Sequence, residues 1–507
     1  MCVFLKKTKE GKLGSFFELK KRGSNYRTEI FAGLTTFLAM AYILIVNPNN
    51  ILWGGTADPR FSSVFIATAL GAFIGTLLMA LLAKMPLAQA PGMGLNATVG
   101  TIIGGAMGFA YSYANAMALV FVSGVIFLLL SFIPCGRNKR THELVSLREK
   151  IFEGIPKSVR NSISVGIGLF IAFIGLQNAH IITDNQFTLL QLISFNNPEL
   201  WHKGGEACIA IVALFGLLVI GVLSHYKVKG SVIIGILFAT VLAIPLGVAD
   251  TTVLAGKVPG ISWNVFDNIK NFFSTSSDNS IFLSLFRGGF TFPEGSIMTS
   301  IMLIVSFSMI DMFDTMGTVV GCCTNANLMD EDGKPINYGK MMYADSIATI
   351  AGAALGTSTV TTFVESGTGV SAGGKTGLTA LTVAVLFILA IFLLPLFAFI
   401  PSAAAASALI YVGVLMMANV VHVDFKNVKN AIPAFITIIT MVLSYSITNG
   451  IGMGIVSYVV LDLVIYFADL IAYKMGKTNI KPKTDITIVT IIVFILFLIY
   501  FLVPTVL

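Results

Sequence analysis

The sequence predicts an all-α, polytopic membrane protein made of two seven-span halves, the second inverted relative to the first. Three observations carry this. The 507 residues are 56% hydrophobic and only 11% charged, with a mean hydropathy of +0.87; soluble chains carry about 25% charged residues, and this one would lack a solvated surface. The apolar segments form two sets on either side of a polar loop, and the third member of each set is interrupted. Interrupted segments at corresponding places in two halves point to a transporter site built from discontinuous helices. Finally, with seven crossings per half, every basic loop cluster falls on one face, which the positive-inside rule makes cytoplasmic.

Residues 1–28 form a basic, cytoplasmic N-terminal segment with no apolar core or cleavage site of a signal peptide. Its SFFELKK stretch is expected as a short amphipathic helix on the inner membrane face. The first repeat, 29–249, offers spans near 29–47, 62–84, 113–134, 160–178, 206–224 and 230–249, each close to the ~20 apolar residues that a crossing needs. Its third crossing is 87–112, broken by Pro91, Gly92 and Gly94. The loop 250–296 is sparse in Lys and Arg and is placed outside.

The second repeat, 297–473, offers spans near 297–320, 341–357, 376–400, 402–421, 431–447 and 450–473. Its broken third crossing, span ten of the chain, begins with the β-branched and aromatic run Thr361–Val364 and continues through Glu365 into Gly, Ser and Thr. FIGLQNA at 173–179 and YVGVLMMAN at 411–419 hold the fifth place in each half and align on Gly175 and Gly413. Residues 474–507 are a basic linker and an apolar segment, 486–504, without a partner in the first half. It is read either as a fifteenth span or as an interfacial hairpin.

The basic clusters are 6–27, 137–160 (which includes Arg148), Lys227 with Lys229, Lys426 with Lys429, and 474–483. The net charge of +7 therefore reflects topology and does not call for a nucleic-acid partner. Five cysteines and five histidines show no zinc, disulfide or H-E-x-x-H spacing. Gly369, Gly374, Lys375 and Thr376 fit the phosphate-loop pattern G-x-x-x-x-G-K-T. A nucleotide domain needs a helix-wrapped parallel sheet of ~100 residues or more, and the chain has no soluble stretch of that size. No enzyme chemistry, metal or cofactor is expected.

Ionisable groups inside spans are costly and mark candidate function. Asp311 and Asp314 lie three apart on one face of the eighth span, and paired acids in a low dielectric favour proton uptake by one of them. Glu365 sits where span ten breaks, able to accept N–H groups of a planar polar ligand. Asn96, after Gly94, is the matching amide of span three. Gln89, Gln177, Asn178 and Asp345 are weaker candidates, and Asp462 and Asp469 read as interfacial.

The motifs AGLTTFLAMAYILIVNP (32–48), QAPGMGLNA (89–97), GIGLFIAFIGLQNA (166–179), DMFDTMGT (311–318), ESGTGVSAGGKTGLTA (365–380) and SITNGIGMG (446–454) occur in the order of one family. The chain resembles the adenine/guanine/hypoxanthine permeases, a branch of the nucleobase–cation symporters that include uracil and xanthine carriers. The resemblance implies a core domain of spans 1–4 and 8–11, a gate domain of spans 5–7 and 12–14, and a short strand in each of spans 3 and 10. It implies elevator-like uptake of hypoxanthine, guanine or adenine with a coupling ion, H+, and a homodimer through the gate. Carried over by motif, the substrate residues are Glu365, Asn96, Asp314, Gly94 and Ser366, and the proton-coupling residues are Asp311 and Asp314. Lys375 departs from the Arg of the family's pattern and keeps the charge. An anion exchanger and a channel of the same fold are the alternatives.

Overall fold

In the computed structural model, the structure describes residues 12–502 except 53–54, 106–109, 138–143, 255–260, 275–279, 331–333 and 476–482. Parts of the predicted N-terminal segment and of the basic C-terminal linker thus lie outside the described residues. The described residues are mostly helical. The first half contains α1 (Tyr26–Met40), α2 (Ile43–Ile51), α3 (Phe61–Leu78), β1 (Gln89–Pro91), α4 (Met93–Ile103), α5 (Tyr113–Phe132), α6 (Leu147–Gly154), α7 (Lys157–Asn178), α8 (Glu206–His225) and α9 (Ser231–Ala243). The second contains α10 (Ile297–Asn325), α11 (Tyr338–Leu355), β2 (Val360–Thr362), α12 (Ser366–Ser371), α13 (Gly377–Ala390), α14 (Ser402–Met417), α15 (Val428–Leu443), α16 (Ile447–Lys474) and α17 (Ile488–Leu502).

Nine helices among the described residues are long and apolar enough to cross a membrane. The other expected crossings are short (α9, α15), broken (β1–α4, β2–α12) or polar and interior (α11). The two breaks meet each other. β1 and β2 pair antiparallel, with Gln89 opposite Thr362, Ala90 opposite Thr361 and Pro91 opposite Val360. Inside a bilayer every backbone polar group needs a protein partner, and the two interrupted segments supply it mutually. Side chains complete the job: the Thr76 hydroxyl exchanges 2.9 Å bonds with both the N–H and C=O of Gln89, and Ala88 N–H donates to Ser366 Oγ at 3.0 Å. A Cβ on Gly352 would lie 2.7 Å from Val360 Cγ2 and 2.8 Å from Ser358 O, so only glycine lets α11 approach the β2 strand this closely.

The helices pack as two groups. One gathers α1–α5 with α10–α13 around the strand pair, and the other gathers α7–α9 with α14–α16. α6 leads from the first group to the second through Gly154 and Pro156. α17 lies against α16 and the end of α6: Phe497 packs on Gly452, and the hydroxyls of Thr487 and Thr490 donate to Gly154 O at 2.8 and 2.7 Å.

Several local expectations change. Among the described residues before α1, only Lys12–Phe16 is helical, and Phe17 and Leu19 bury against Leu378. The loop 250–296 carries a helix, Val265–Phe273, with Phe272 fully buried, and Asn115 Nδ2 anchors Gly289 O and Thr291 O at 2.8 Å each. The loop after α7 folds into a hairpin of Ile182–Asn185 with Leu189–Leu192.

Candidate functional site

A recess opens between the two groups of helices. Its inner end, about 30 Å³, is lined by Asp314, Thr362, Phe363, Val364 and Glu365 with Met93 and Gly94 on one side, and by Ile167, Ile171, Val412, Leu415 and Met416 on the other. It shares Ile167, Asp314, Val364 and Leu415 with a wider cavity of about 470 Å³ that runs out to Arg160, Asn161 and His422. The mouth therefore lies on the face that carries the basic clusters.

Glu365 immediately precedes α12, but its side chain does not cap that helix. Instead Oε1 accepts a 2.6 Å hydrogen bond from the hydroxyl of Tyr42, a fully buried residue in the turn between α1 and α2. A charge-assisted bond this short fixes the carboxylate. Asp314 lies beside it and accepts from Thr361 Oγ1 at 3.3 Å. Both acids sit at the end of an otherwise apolar slot.

Of the sequence-predicted site residues, Glu365, Asp314 and Gly94 meet at this recess. Asn96 and Ser366 do not line it. The Asn96 amide is fully buried, donating to Pro91 O at 3.3 Å and accepting from the Ser358 hydroxyl, so it ties the start of α4 to the residues before β2. Ser366 ties α12 to Ala88, as above.

Asp311 lies behind the recess, 1% exposed. Its Oδ2 accepts from Thr349 Oγ1 at 3.1 Å, and its Oδ1 has no partner among the described residues. Close by, Asp345 is enclosed by donors: Arg148 Nη2 at 2.9 Å on Oδ2, and Thr315 Oγ1 at 2.6 Å with Gln89 Nε2 at 3.2 Å on Oδ1. Arg148 is itself wholly buried, its guanidinium carbon 3.4 Å from the centroid of the Phe127 ring and its Nη1 donating to Met342 O at 3.1 Å. The sequence placed this arginine in a basic loop cluster; the fold withdraws it from that loop because Asp345, buried mid-helix, needs a counter-charge. Asp462 is likewise buried, paired with Lys429 and accepting from Thr484 Oγ1 at 2.6 Å.

The G-x-x-x-x-G-K-T stretch has its own occupant. The carboxylate of Glu29, fully buried, accepts from the backbone N–H groups of Lys375 and Thr376 at 3.0 and 3.2 Å and from Thr379 Oγ1 at 2.6 Å. These are the amides that a phosphate would claim. Among the described residues no cluster of His, Cys, Asp and Glu could hold a metal.

Tyr42, Arg148 and Glu29 were missed by sequence reasoning. Tyr42 is hidden in an apolar run, and Arg148 and Glu29 sit among surface-like charges; only pairing in space distinguishes them.

The chain is 35% identical over 454 residues to the adenine permease AdeP of Escherichia coli (strain K12), covering 90% of this chain and 91% of that one. It is 37% identical over 444 residues to the guanine/hypoxanthine permease PbuO of Bacillus subtilis (strain 168), covering 87% and 93%. Among solved structures, the transmembrane domain of the cyanobacterial bicarbonate transporter BicA superposes with a TM-score of 0.54 at 15% identity, over 83% of this chain and 97% of that domain. That likeness concerns the fold, the seven-plus-seven arrangement. Residues 27–453 match the Permease family of xanthine and uracil permease type, and the chain, a multi-pass membrane transporter, belongs to that family.

Proposed function

We propose that this protein imports purine nucleobases (hypoxanthine, guanine and adenine) across the plasma membrane by proton symport. The observation that carries this is Glu365, fixed through Oε1 by Tyr42 at the end of an apolar slot. A neutral purine presents ring N–H donors at one edge and flat apolar faces. Oε2 of Glu365 would accept from the edge, while Met93, Ile167, Ile171, Val412 and Met416 enclose the faces. Relatives named as adenine and guanine/hypoxanthine permeases support the substrate class. Two carboxylates at one site disfavour an anion, so the reading as an anion exchanger is not preferred.

In this reading the helices around the strand pair are the core, which carries the base past a gate formed by α7–α9 and α14–α16 in an elevator-like movement. The recess opening toward the basic face represents the inward-facing state, with the N-terminus cytoplasmic. One of Asp311 and Asp314 takes the proton outside and releases it inside, and the gate forms a homodimer. No cofactor takes part.

The experiment is uptake of labelled hypoxanthine, guanine and adenine into cells without their own purine carriers, with competing bases and with a protonophore. Saturable uptake that collapses with the protonophore is expected, and Glu365→Gln should abolish it at an unchanged membrane level. Wild-type uptake by that variant would remove Glu365 from the binding role. Ion current without saturable uptake would identify a channel.

A further inference from the structure

On the outer edge of β2 two backbone groups, the Thr362 N–H and the Val360 C=O, meet threonine hydroxyls, and each of these hydroxyls touches a buried acid. Phe363 N–H donates to Ala88 O at 3.0 Å and Gly92 N–H to Thr359 O at 2.9 Å. In an antiparallel ladder bonded pairs alternate, so Val360 and Thr362 turn their peptide groups away from β1. Pro91, opposite Val360, has no N–H to offer in any case. Thr362 N–H finds Thr315 Oγ1 at 3.4 Å, and Val360 O finds Thr349 Oγ1 at 3.3 Å.

The two hydroxyls differ in the acid behind them. Thr315 leans on Asp345, which is ion-paired with Arg148 and surrounded by donors on both oxygens, a fixed acceptor. Thr349 leans on Asp311, which has no ion-pair partner among the described residues and one unpartnered oxygen. Thr349 is fully buried and stands within reach of both Asp311 Oδ2 and Val360 O, yet a hydroxyl has one hydrogen to give.

We infer that Thr349 is a positioning residue for coupling, whose single hydroxyl hydrogen transmits the protonation state of Asp311 to β2, the strand that leads into Glu365. This rests on the proton-symport reading above. With Asp311 ionised, Thr349 donates to its Oδ2 and Val360 O goes without. When Asp311 takes a proton from the outer compartment, its new O–H donates to Thr349 Oγ1, and the threonine hydrogen swings to Val360 O. No other covalent bond changes, and the proton later leaves from Asp311 to the inner compartment. The Thr349–Val360 hydrogen bond between α11 and β2 then exists only in the protonated state, and Glu365 is held for the base in that state. The charged groups that face Asp311 are Asp345 on α11, Arg148 at the start of α6 and Asp314 on its own helix; the first two are paired with each other.

The test compares Thr349→Val, near-isosteric without the hydroxyl, with Thr349→Ser, which keeps it. Labelled hypoxanthine and adenine are followed in three ways: the pH profile of uptake, the accumulation ratio, and counterflow exchange without a proton gradient, each normalised to membrane level. For Thr349→Val we expect a flattened pH profile and an accumulation ratio down by about tenfold, the scale of one hydrogen bond to a charged group, with a much smaller loss in counterflow. Thr349→Ser should keep the wild-type profile. Proportional loss of all three activities in Thr349→Val, or the same defect in Thr349→Ser, would reduce Thr349 to packing and overturn the inference. Thr349→Ala makes the same comparison should the valine variant not reach the membrane. Protonophore-insensitive uptake by the wild type overturns the symport reading and this inference together, whereas a proton-driven wild type matched by Thr349→Val overturns this inference alone.

Discussion

The hydroxyl of Tyr42 donates a 2.6 Å hydrogen bond to Oε1 of Glu365, joining the turn between α1 and α2 to the broken crossing 323 positions later. Both residues are buried in the group of helices that surrounds the strand pair. The bond thus orients the carboxylate from within that group, and the orientation does not depend on α7 or α14 across the recess. Tyr42→Phe keeps the ring and removes the donor. A hydrogen bond to a charged group is worth about 1.5–3 kcal/mol net, so the KM for purine uptake should rise by about tenfold or more with little loss of protein. A KM within the error of wild type would show that Glu365 is oriented by other means.

Arg148 and Asp345 make the wholly buried ion pair behind the site. Removing one partner of such a pair leaves an uncompensated charge and costs about 3–5 kcal/mol, whereas neutralising both is often tolerated. Arg148→Met should therefore lower the thermal midpoint in detergent sharply, and adding Asp345→Asn should recover at least half of the loss. Asparagine still accepts from Thr315 through its amide oxygen. A double variant whose loss equals the sum of the single losses would mean that the pair is not energetically coupled.

Much of the fold was legible in the sequence because lipid imposes a length on each crossing and a charge bias on each loop. The paired interruptions at Pro91–Gly94 and Glu365–Gly374 located two of the recess residues, Gly94 and Glu365, and the acid pair of the eighth span supplied a third, Asp314. Where a polar side chain would point was not legible. Asn96 and Glu365 look equivalent in sequence, one in each broken crossing, yet Asn96 turns inward to Pro91 and Ser358 while Glu365 turns to the recess. Arg148 was lost among loop charges for a related reason: positive-inside statistics count charges and are blind to which of them has a buried partner.

Glu29 makes a separate prediction about the apparent phosphate loop. Its carboxylate satisfies two backbone amides and one hydroxyl at the start of α13. Glu29→Ala leaves these donors buried and unmet, at about 1–3 kcal/mol for each group so stranded, and should lower the folded yield and the thermal midpoint. ATP should bind neither to the wild type nor to the variant in equilibrium dialysis. Saturable ATP binding to the wild type that is lost in Lys375→Ala would revive the nucleotide reading.

The C-terminal helix α17 tests how the two groups of helices are connected. Its fifteen residues are fewer than the ~20 of a full crossing, and its burial is concentrated at Thr490, Val493 and Phe497. Thr487 and Thr490 both hold Gly154 O, the end of the segment through which one group passes into the other. The segment before α17 is itself fastened, Asp485 to Lys429 at 3.0 Å and Thr484 to Asp462. A chain ending after residue 475 keeps the whole of the 27–453 match, so it should still bind labelled purine. It forfeits the burial of Val493 and Phe497, about 1.5–3 kcal/mol each, and should unfold at a lower temperature. Because Gly154 O loses its donors, the connection between the groups loosens, and the maximal rate of uptake should change more than the KM. A truncated protein with the wild-type thermal midpoint and uptake rate would make α17 an ornament of the fold rather than a clamp on its linker.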